Sequence, residues 1–174
     1  MGRRGLEASS PRVQDCVVMD INTTAQFAAT PDKVTAMMTD PEWWVDVYRR
    51  IGATTSNITP TENGISLDLA LPAPHQVQKI VGETLSAHQD LTWQAPAEDG
   101  SRQGELVINP KGMPAKAVGH ASLAAGGPGS VVTYTGEFTI SLPVVGKKLE
   151  KVAGPYLTRA FDVQQEAGDD YLSR

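Results

Sequence analysis

The sequence has little of what secreted or membrane-embedded proteins rely on. It contains a single cysteine, Cys16, so no internal disulfide can form. No apolar run approaches the ~20 residues that cross a bilayer, and the first residues do not follow a signal-peptide pattern. We therefore expect a protein of the reducing cytoplasm that makes no integral membrane contact.

Positive charge is also in short supply. The chain carries 15 Lys and Arg residues against 20 Asp and Glu residues, for a formal net charge of −5. Proteins that bind nucleic acids need clustered basic side chains to contact phosphates. The charge balance therefore argues against a nucleic-acid partner.

Motifs that hold metals, phosphates or nucleophiles are absent from the sequence. The histidines His75, His88 and His120 are far apart, and none lies in a His-x-x-x-His spacing. The glycines of residues 126–129 follow a strand pattern rather than opening a helix, which phosphate binding would require. No Gly-x-Ser-x-Gly sequence occurs. We predict neither a metal site, a cofactor nor a catalytic motif.

The chain divides into a short irregular start and one domain. Residues 1–18 carry Arg3, Arg4 and Arg12 among Gly, Ser and Pro without any periodicity. We interpret them as a disordered or non-native extension. Residues 19–174 are of a size that a single hydrophobic core stabilises.

The domain opens with a strand and two short helices. Residues 19–27 alternate between apolar and polar side chains, which is typical of a half-buried strand. Thr30-Pro31 and Asp40-Pro41 each combine a capping oxygen with a proline suited to the first helical turn. Gly52 is a suitable end for the second helix.

A long β region follows. Asn63-Gly64 predicts a tight hairpin turn with positive φ at both residues. Further strands are predicted at residues 53–59, 65–71, 76–85, 90–95, 102–109, 115–124 and 131–142. Glycines inside these strands, Gly104, Gly119 and Gly136, permit bulges and sharp coiling. In the last strand Val132, Tyr134, Phe138 and Ile140 are predicted to face inward, with Glu137 on the opposite face; His120 is likewise predicted to face outward.

A long helix ends the chain. Apolar residues recur every three or four positions from Leu149 to Tyr171, and Pro155 is expected to kink or restart the helix. The loops between strands are too short for parallel crossovers, so the sheet must be antiparallel. The sequence thus predicts an α+β helix-grip fold, a curved antiparallel sheet of about seven strands around a long C-terminal helix, with two short helices after the first strand.

Three segments resemble the START-like superfamily of polyketide cyclases and lipid-transfer proteins. They are Phe27-x-x-Thr30-Pro31-x-x-Val34, Asp40-Pro41-Glu42-Trp43-Trp44 and Pro143-x-x-Gly146-Lys147-x-Leu149-Glu150. Within that superfamily the sequence is similar to an actinobacterial family of uncharacterised function. The resemblance implies a cavity between sheet and C-terminal helix that takes a hydrophobic or amphipathic small molecule, lipid-like or polyketide-like.

Residues for such a cavity follow from the predicted faces of the strands and the helix. We expect the ligand to contact Leu67, Leu69, Trp93, Leu106, Tyr134, Phe138, Tyr156 and Ala160. Trp43 is off the apolar stripe of its helix, so we expect it to be exposed at the cavity entrance, as a ligand gate or membrane contact. Lys147 is expected at the same entrance, where it would meet an anionic headgroup or simply be solvated.

Three functions remain open from the sequence. The first is non-catalytic binding of a hydrophobic small molecule. The second is an aromatase/cyclase-type enzyme, in which a cavity folds a reactive chain and polar groups such as Tyr134 steer it. The third is a module that binds a partner protein, although nothing in the sequence identifies the surface that would bind it.

Overall fold

A computed structural model describes residues 16–142 and 144–174 of the chain. The elements in chain order are β1 (Val17–Phe27), α1 (Pro31–Met38), α2 (Pro41–Arg50), β2 (Thr54–Pro60), β3 (Gly64–Pro72), α3 (Gln78–Val81), β4 (Thr84–Trp93), β5 (Arg102–Pro110), β6 (Ala115–Gly126), β7 (Gly129–Ile140) and α4 (Gly146–Leu172). The strands form one sheet in the order β1-β7-β6-β5-β4-β3-β2, and all pairs are antiparallel. Helix α4 packs against β1, β7 and α2. The predicted helix-grip fold is confirmed.

The two short helices begin where their capping residues predict. Thr30 precedes Pro31, and its hydroxyl accepts a hydrogen bond from the backbone N–H of Lys33. Asp40 precedes Pro41, and its Oδ1 accepts a hydrogen bond of 2.9 Å from the N–H of Glu42. Each cap satisfies a backbone donor that the first turn leaves free, so local chemistry fixes both starts.

The predicted inner and outer faces of the last strands are confirmed. Val132, Tyr134 and Ile140 are buried on β7, and Phe138 is half-buried, whereas Glu137 is exposed. On β6 the side chain of His120 is exposed, as expected from its parity. The alternation of inward and outward side chains is kept because a shift of the strand register by one residue would bury all of the outward polar side chains.

Residues 76–85 do not form one strand, contrary to the prediction. They contain the short helix α3, and β4 begins only at Thr84. The N–H of Val81 donates to the carbonyl of Val77 in a helical pattern. Val77, Ile80 and Val81 are spaced by three and four residues, and this spacing places them on one side of a helical turn.

The backbone conformation predicted for the Asn63-Gly64 turn is also wrong. The β2–β3 hairpin exists, but neither residue has positive φ, and Gly64 is already the first residue of β3. A Cβ atom at Gly64 would lie 1.8 Å from the carbonyl oxygen of Leu91. Glycine is needed here because β4 approaches closely, not because the turn requires a left-handed backbone.

The strand glycines permit bulges, but none occurs at them in the pairings of β4 to β7. The registers of β5, β6 and β7 run without a shift through Gly104, Gly119 and Gly136. The described register shift lies between Ser56 and Thr59 of β2, where Asn57 has φ of 50°. The asparagine side chain tolerates this left-handed conformation better than most residues do.

Helix α4 continues through Pro155 without a break, so the predicted restart of the helix does not occur. Proline has no N–H, and the carbonyl of Lys151 therefore lacks its helical hydrogen bond. Buried residues of α4 lie at its beginning (Gly146, Leu149) and in its second half (Val163, Gln164, Ala167, Gly168). The middle of the helix is thus less buried than its second half.

The apolar side chains form two clusters. The main cluster lies between the sheet, α1, α2 and the second half of α4, and includes Phe27, Trp44 and Val163. A smaller cluster around Val77, Ile140 and Leu149 joins α3, β7 and the start of α4. The space between these clusters holds an apolar cavity.

Strand β1 begins at Val17, two residues before the predicted domain start. Residues 1–15 lie outside the described residues, and the predicted division at residue 18 stays a prediction. None of the helices in residues 16–142 and 144–174 is long and apolar enough to cross a membrane.

Candidate functional site

An apolar cavity of about 210 Å³ lies between the main cluster and the smaller cluster. Its walls come from β3, β4, β5, β7 and α2 on one side and from the first half of α4 on the other. The loop that carries α3 supplies Pro74 and Val77. The cavity therefore lies where the resemblance implies it, between the sheet and the C-terminal helix.

Four of the predicted ligand residues line this cavity. Leu69 comes from β3, Phe138 from β7, and Tyr156 and Ala160 from successive turns of α4. Leu69 and Phe138 point inward because of strand parity. Tyr156 and Ala160 share one face of α4 because they are four residues apart.

The other four predicted ligand residues lie in the packed main cluster. Leu67, Trp93, Leu106 and Tyr134 are all buried. Leu67 is the next inward residue of β3 after Leu69, and Leu106 stands in the same relation to Ile108 on β5. Leu67 and Leu106 therefore extend the cavity walls into the main cluster, and none of the four lines the cavity.

Of the two residues expected at the cavity entrance, Lys147 is exposed and Trp43 is buried. Trp43 is 1% exposed, so its predicted exposure is wrong. Helix α2 contacts α1, β2 and α4. Because these elements surround it on several sides, both Trp43 and Trp44 are buried. Lys147 is exposed in the first turn of α4, beside the cavity-lining Leu149.

Two buried tyrosine–glutamine pairs lie next to the cavity, and of their four residues Tyr48 lines it. The hydroxyl of Tyr48, which lines the cavity, donates a hydrogen bond to Oε1 of Gln89. The hydroxyl of Tyr134 donates a hydrogen bond of 3.0 Å to Oε1 of Gln164. We call these four residues the polar floor.

Burial keeps both phenols of the polar floor uncharged. It raises the pKa of Tyr48 well above the ordinary value. Burial, followed by the neighbouring Tyr48 phenol, raises the pKa of Tyr134 in the same way. At neutral pH both hydroxyls are therefore hydrogen-bond donors, and neither is a base.

The sequence analysis did not identify Tyr48 or Gln89 as site residues. Tyr48 lies on the apolar stripe of α2 with Trp44 and Val47, which is typical of core residues. Gln89 falls at an inward position of β4, between Ala87 and Leu91, where a polar side chain is unusual. That single polar residue on an apolar strand face was the available signal.

A charged cluster occupies the opposite face of the sheet. His88 Nδ1 lies 2.8 Å from Asp68 Oδ1, and His88 Nε2 lies 3.1 Å from the hydroxyl of Ser66. Lys111 and Asp90 approach the same groups. The Ser66–His88–Asp68 order matches that of a nucleophilic triad, but these side chains lie outside the cavity on adjacent strands of an open sheet surface. We therefore interpret these side chains as contacts that stabilise the pairing of β3 with β4.

Among residues 16–142 and 144–174, no group of three or more His, Cys, Asp or Glu side chains is arranged to hold a metal ion. The described residues that line the cavity include no charged side chain. The chemistry that the cavity offers is therefore mainly apolar contact, with the neutral polar residues Tyr48, Ser86 and Tyr156 in its lining.

The chain belongs to the family described as "Protein of unknown function (DUF2505)", which it matches over residues 22–172. No curated protein matches the sequence.

Solved structures show the same START-like fold. A START superfamily protein from Mycobacterium smegmatis is 18% identical with a TM-score of 0.50, covering 86% of this chain and 94% of its own. Protein Ms6760 from Mycobacterium smegmatis is 18% identical with a TM-score of 0.54, covering 88% and 90%. The Zhui aromatase/cyclase from Streptomyces sp. R1128 is 8% identical with a TM-score of 0.55, covering 88% and 91%. At these identities the likeness concerns the fold.

Proposed function

We propose that this protein binds a hydrophobic or amphipathic small molecule, lipid-like or polyketide-like, in the cavity between the sheet and α4, without catalysing a reaction. The observation that carries the proposal is the apolar cavity of about 210 Å³ between the two clusters. Ligand sites in proteins are concave and mostly apolar, with a few polar groups that fix orientation. The apolar walls, with Tyr48, Ser86 and Tyr156 among the lining residues, match that description.

The chemistry of the lining favours binding over reaction. General acid–base catalysis needs a group with a pKa near the working pH. Tyr48 lies at the cavity with its pKa raised by burial, so its hydroxyl keeps its proton at neutral pH. The single cysteine, Cys16, is consistent with a cytoplasmic location, which we include in the proposal.

Binding of N-phenyl-1-naphthylamine, an uncharged apolar fluorophore, tests the proposal. We expect the purified protein to enhance its fluorescence saturably. The variant Ala160→Phe inserts a ring into the cavity wall and should weaken binding at least tenfold. The matched variant Ala36→Phe places the same ring on the exposed side of α1 and should leave binding unchanged. No saturable binding to the wild type, or equal binding to both variants, would overturn the proposal.

A further inference from the structure

The interior of the cavity offers almost no hydrogen bonds to a ligand. Its described lining residues carry no charged side chain. Tyr48 already donates its hydroxyl hydrogen to Gln89. Ser86 alternates on β4 with the inward Ala87, so its hydroxyl points to the outer face of the sheet. A ligand acceptor buried here would therefore lose its hydration without gaining a partner.

The size of the cavity fits a short hydrocarbon group. An engineered apolar cavity of roughly 150 Å³ binds one benzene molecule. A cavity of about 210 Å³ has room for somewhat more than one such ring, or for a comparable length of alkyl chain. The part of the ligand that the cavity encloses is therefore a hydrocarbon group of that size, without a polar atom.

The cavity opens to solvent beside Tyr156. This residue is exposed, whereas the other described lining residues are buried or half-buried. Val152, one turn earlier on α4, is half-buried and lines the same cavity. Any part of a ligand that the cavity does not enclose would leave past these two residues.

Two lysines of α4 flank this opening. Lys148 precedes Val152 by four residues, so both lie on the same side of the helix, and Lys151 follows Lys148 by three. Both lysines are exposed, and neither forms an ion pair within residues 16–142 and 144–174. A cation in the first turn opposes the helix dipole, so Lys148 does not stabilise the helix. Both charges are instead free to attract an anionic group at the opening.

We propose that the cavity binds an anionic amphiphile tail first, with its hydrocarbon end enclosed and its ionised head group at the opening, where Lys148 and Lys151 attract it. This inference rests on the proposed function and adds the class and the orientation of the ligand. The opposite orientation would bury the anion without a counter-ion, which is strongly unfavourable.

Three eight-carbon probes test the charge of the head group: octanoate, octan-1-ol and octylammonium. Binding is measured at neutral pH by competition with N-phenyl-1-naphthylamine. We expect octanoate to bind about fivefold more tightly than octan-1-ol, the factor that two exposed charge pairs provide. Octylammonium should bind more weakly than both, because the lysines repel it. High salt should reduce the preference for octanoate, because it screens exposed charges.

Two isomeric keto acids test the orientation. In 7-oxooctanoate the ketone lies near the end that would enter the cavity, where its oxygen finds no donor. We expect this probe to bind about tenfold more weakly than octanoate, the cost of an unpaired buried acceptor. In 2-oxooctanoate the ketone lies beside the carboxylate, at the opening, and the affinity should stay close to that of octanoate.

A double variant, Lys148→Gln with Lys151→Gln, tests the assigned lysines. Both side chains are exposed, so the variant should fold. We expect the octanoate-to-octanol ratio to fall to about one, while the affinity for octan-1-ol stays the same. The matched double variant Lys33→Gln with Lys116→Gln removes two exposed charges from α1 and from the outer face of β6. It should leave the ratio unchanged.

The outcomes separate the two proposals. Equal affinities for octanoate and octan-1-ol, or tighter binding of octylammonium, would overturn the anionic class and leave the binding function intact. Equal affinities for the two keto acids would overturn the orientation. A ratio that survives in the Lys148 and Lys151 double variant would overturn the assigned contact. If neither these probes nor N-phenyl-1-naphthylamine binds, the proposed function fails and the inference fails with it.

Discussion

Gly168 of α4 lies directly against the aromatic ring of Phe27 in β1. A Cβ atom at Gly168 would come within 2.1 Å of Phe27 Cε1, and both residues are buried. The second half of α4 can approach the first strand this closely because residue 168 has no side chain. This contact joins the two ends of the described chain.

Gly168→Ala should therefore destabilise the protein. Alanine favours a helix over glycine by about 1 kcal/mol, but overpacking a buried contact costs about 1–3 kcal/mol. We expect a net loss in the free energy of unfolding, measured with urea. In a Phe27→Leu background the same change should cost less, because the ring atoms that it meets are gone. Equal costs in the two backgrounds would show that the contact is not responsible.

The hydrogen bond between Tyr134 and Gln164 predicts a difference between two tyrosines. Tyr134→Phe leaves the buried Oε1 of Gln164 without its donor, which should cost about 1–3 kcal/mol of unfolding free energy. Tyr156 is 42% exposed, so Tyr156→Phe should change stability by less than about 0.5 kcal/mol. Urea denaturation measures both, and similar losses would contradict the assignment of the polar floor.

Stability should depend on pH through His88. Its hydrogen bond to Asp68 raises the pKa of His88, helped by the Coulombic effect of Asp90. Hydrogen bonds from Asn57, His88 and Lys111 lower the pKa of Asp68. The folded protein thus binds the imidazole proton more tightly than the unfolded chain, so this stabilisation is complete below the ordinary His pKa of about 6.5 and is lost as pH rises through the raised value.

The variant His88→Gln checks this pH dependence. The difference in melting temperature between wild type and variant should be largest near about pH 5–6 and shrink on the alkaline side. It should also shrink in strong acid, as pH falls through the lowered pKa of Asp68 and the carboxylate is protonated. The other charged groups of this cluster are Lys111, which contacts Asp68, and Asp90, which contacts His88. A difference that is constant from pH 5 to pH 9 would contradict the prediction.

Two strand glycines should respond differently to the same substitution. At Gly64 an added Cβ atom would collide with the backbone of Leu91, which cannot move without separating β3 from β4. Gly64→Ala should cost roughly 3–5 kcal/mol or prevent folding. At Gly119 the nearest atom would be 3.7 Å away, an ordinary contact, so Gly119→Ala should be neutral or stabilise by up to about 1 kcal/mol. Thermal unfolding of the two variants, compared with that of the wild type, tests this prediction.

The fold was predictable where local chemistry determines it. Capping oxygens before Pro31 and Pro41 fixed two helix starts, and side-chain parity fixed the inner face of β7. Helix α3 was missed because a few apolar residues in a short segment suit a strand almost as well as one helical turn.

The candidate site was less predictable because its contacts join distant parts of the chain. Tyr48 and Gln89 are 41 residues apart in sequence, and no local pattern indicates that they meet. The predicted exposure of Trp43 was wrong because the apolar stripe of a helix does not show how many other elements surround that helix. Parity and helical spacing identified inward residues, but they did not separate those at the cavity from those packed beyond it.

The position of the cavity between two clusters has a consequence for how relatives of this protein can diverge. Many lining residues, such as Phe138, Leu149 and Val152, belong to the smaller cluster, whereas the helices and strands are held together mainly by the other one. Substitutions that reshape the smaller cluster can therefore alter the proposed ligand site at little cost to folding. Tyr48, Leu69 and Ala87 belong to the main cluster and also line the cavity, so selection for fold and selection for ligand act together on these three positions.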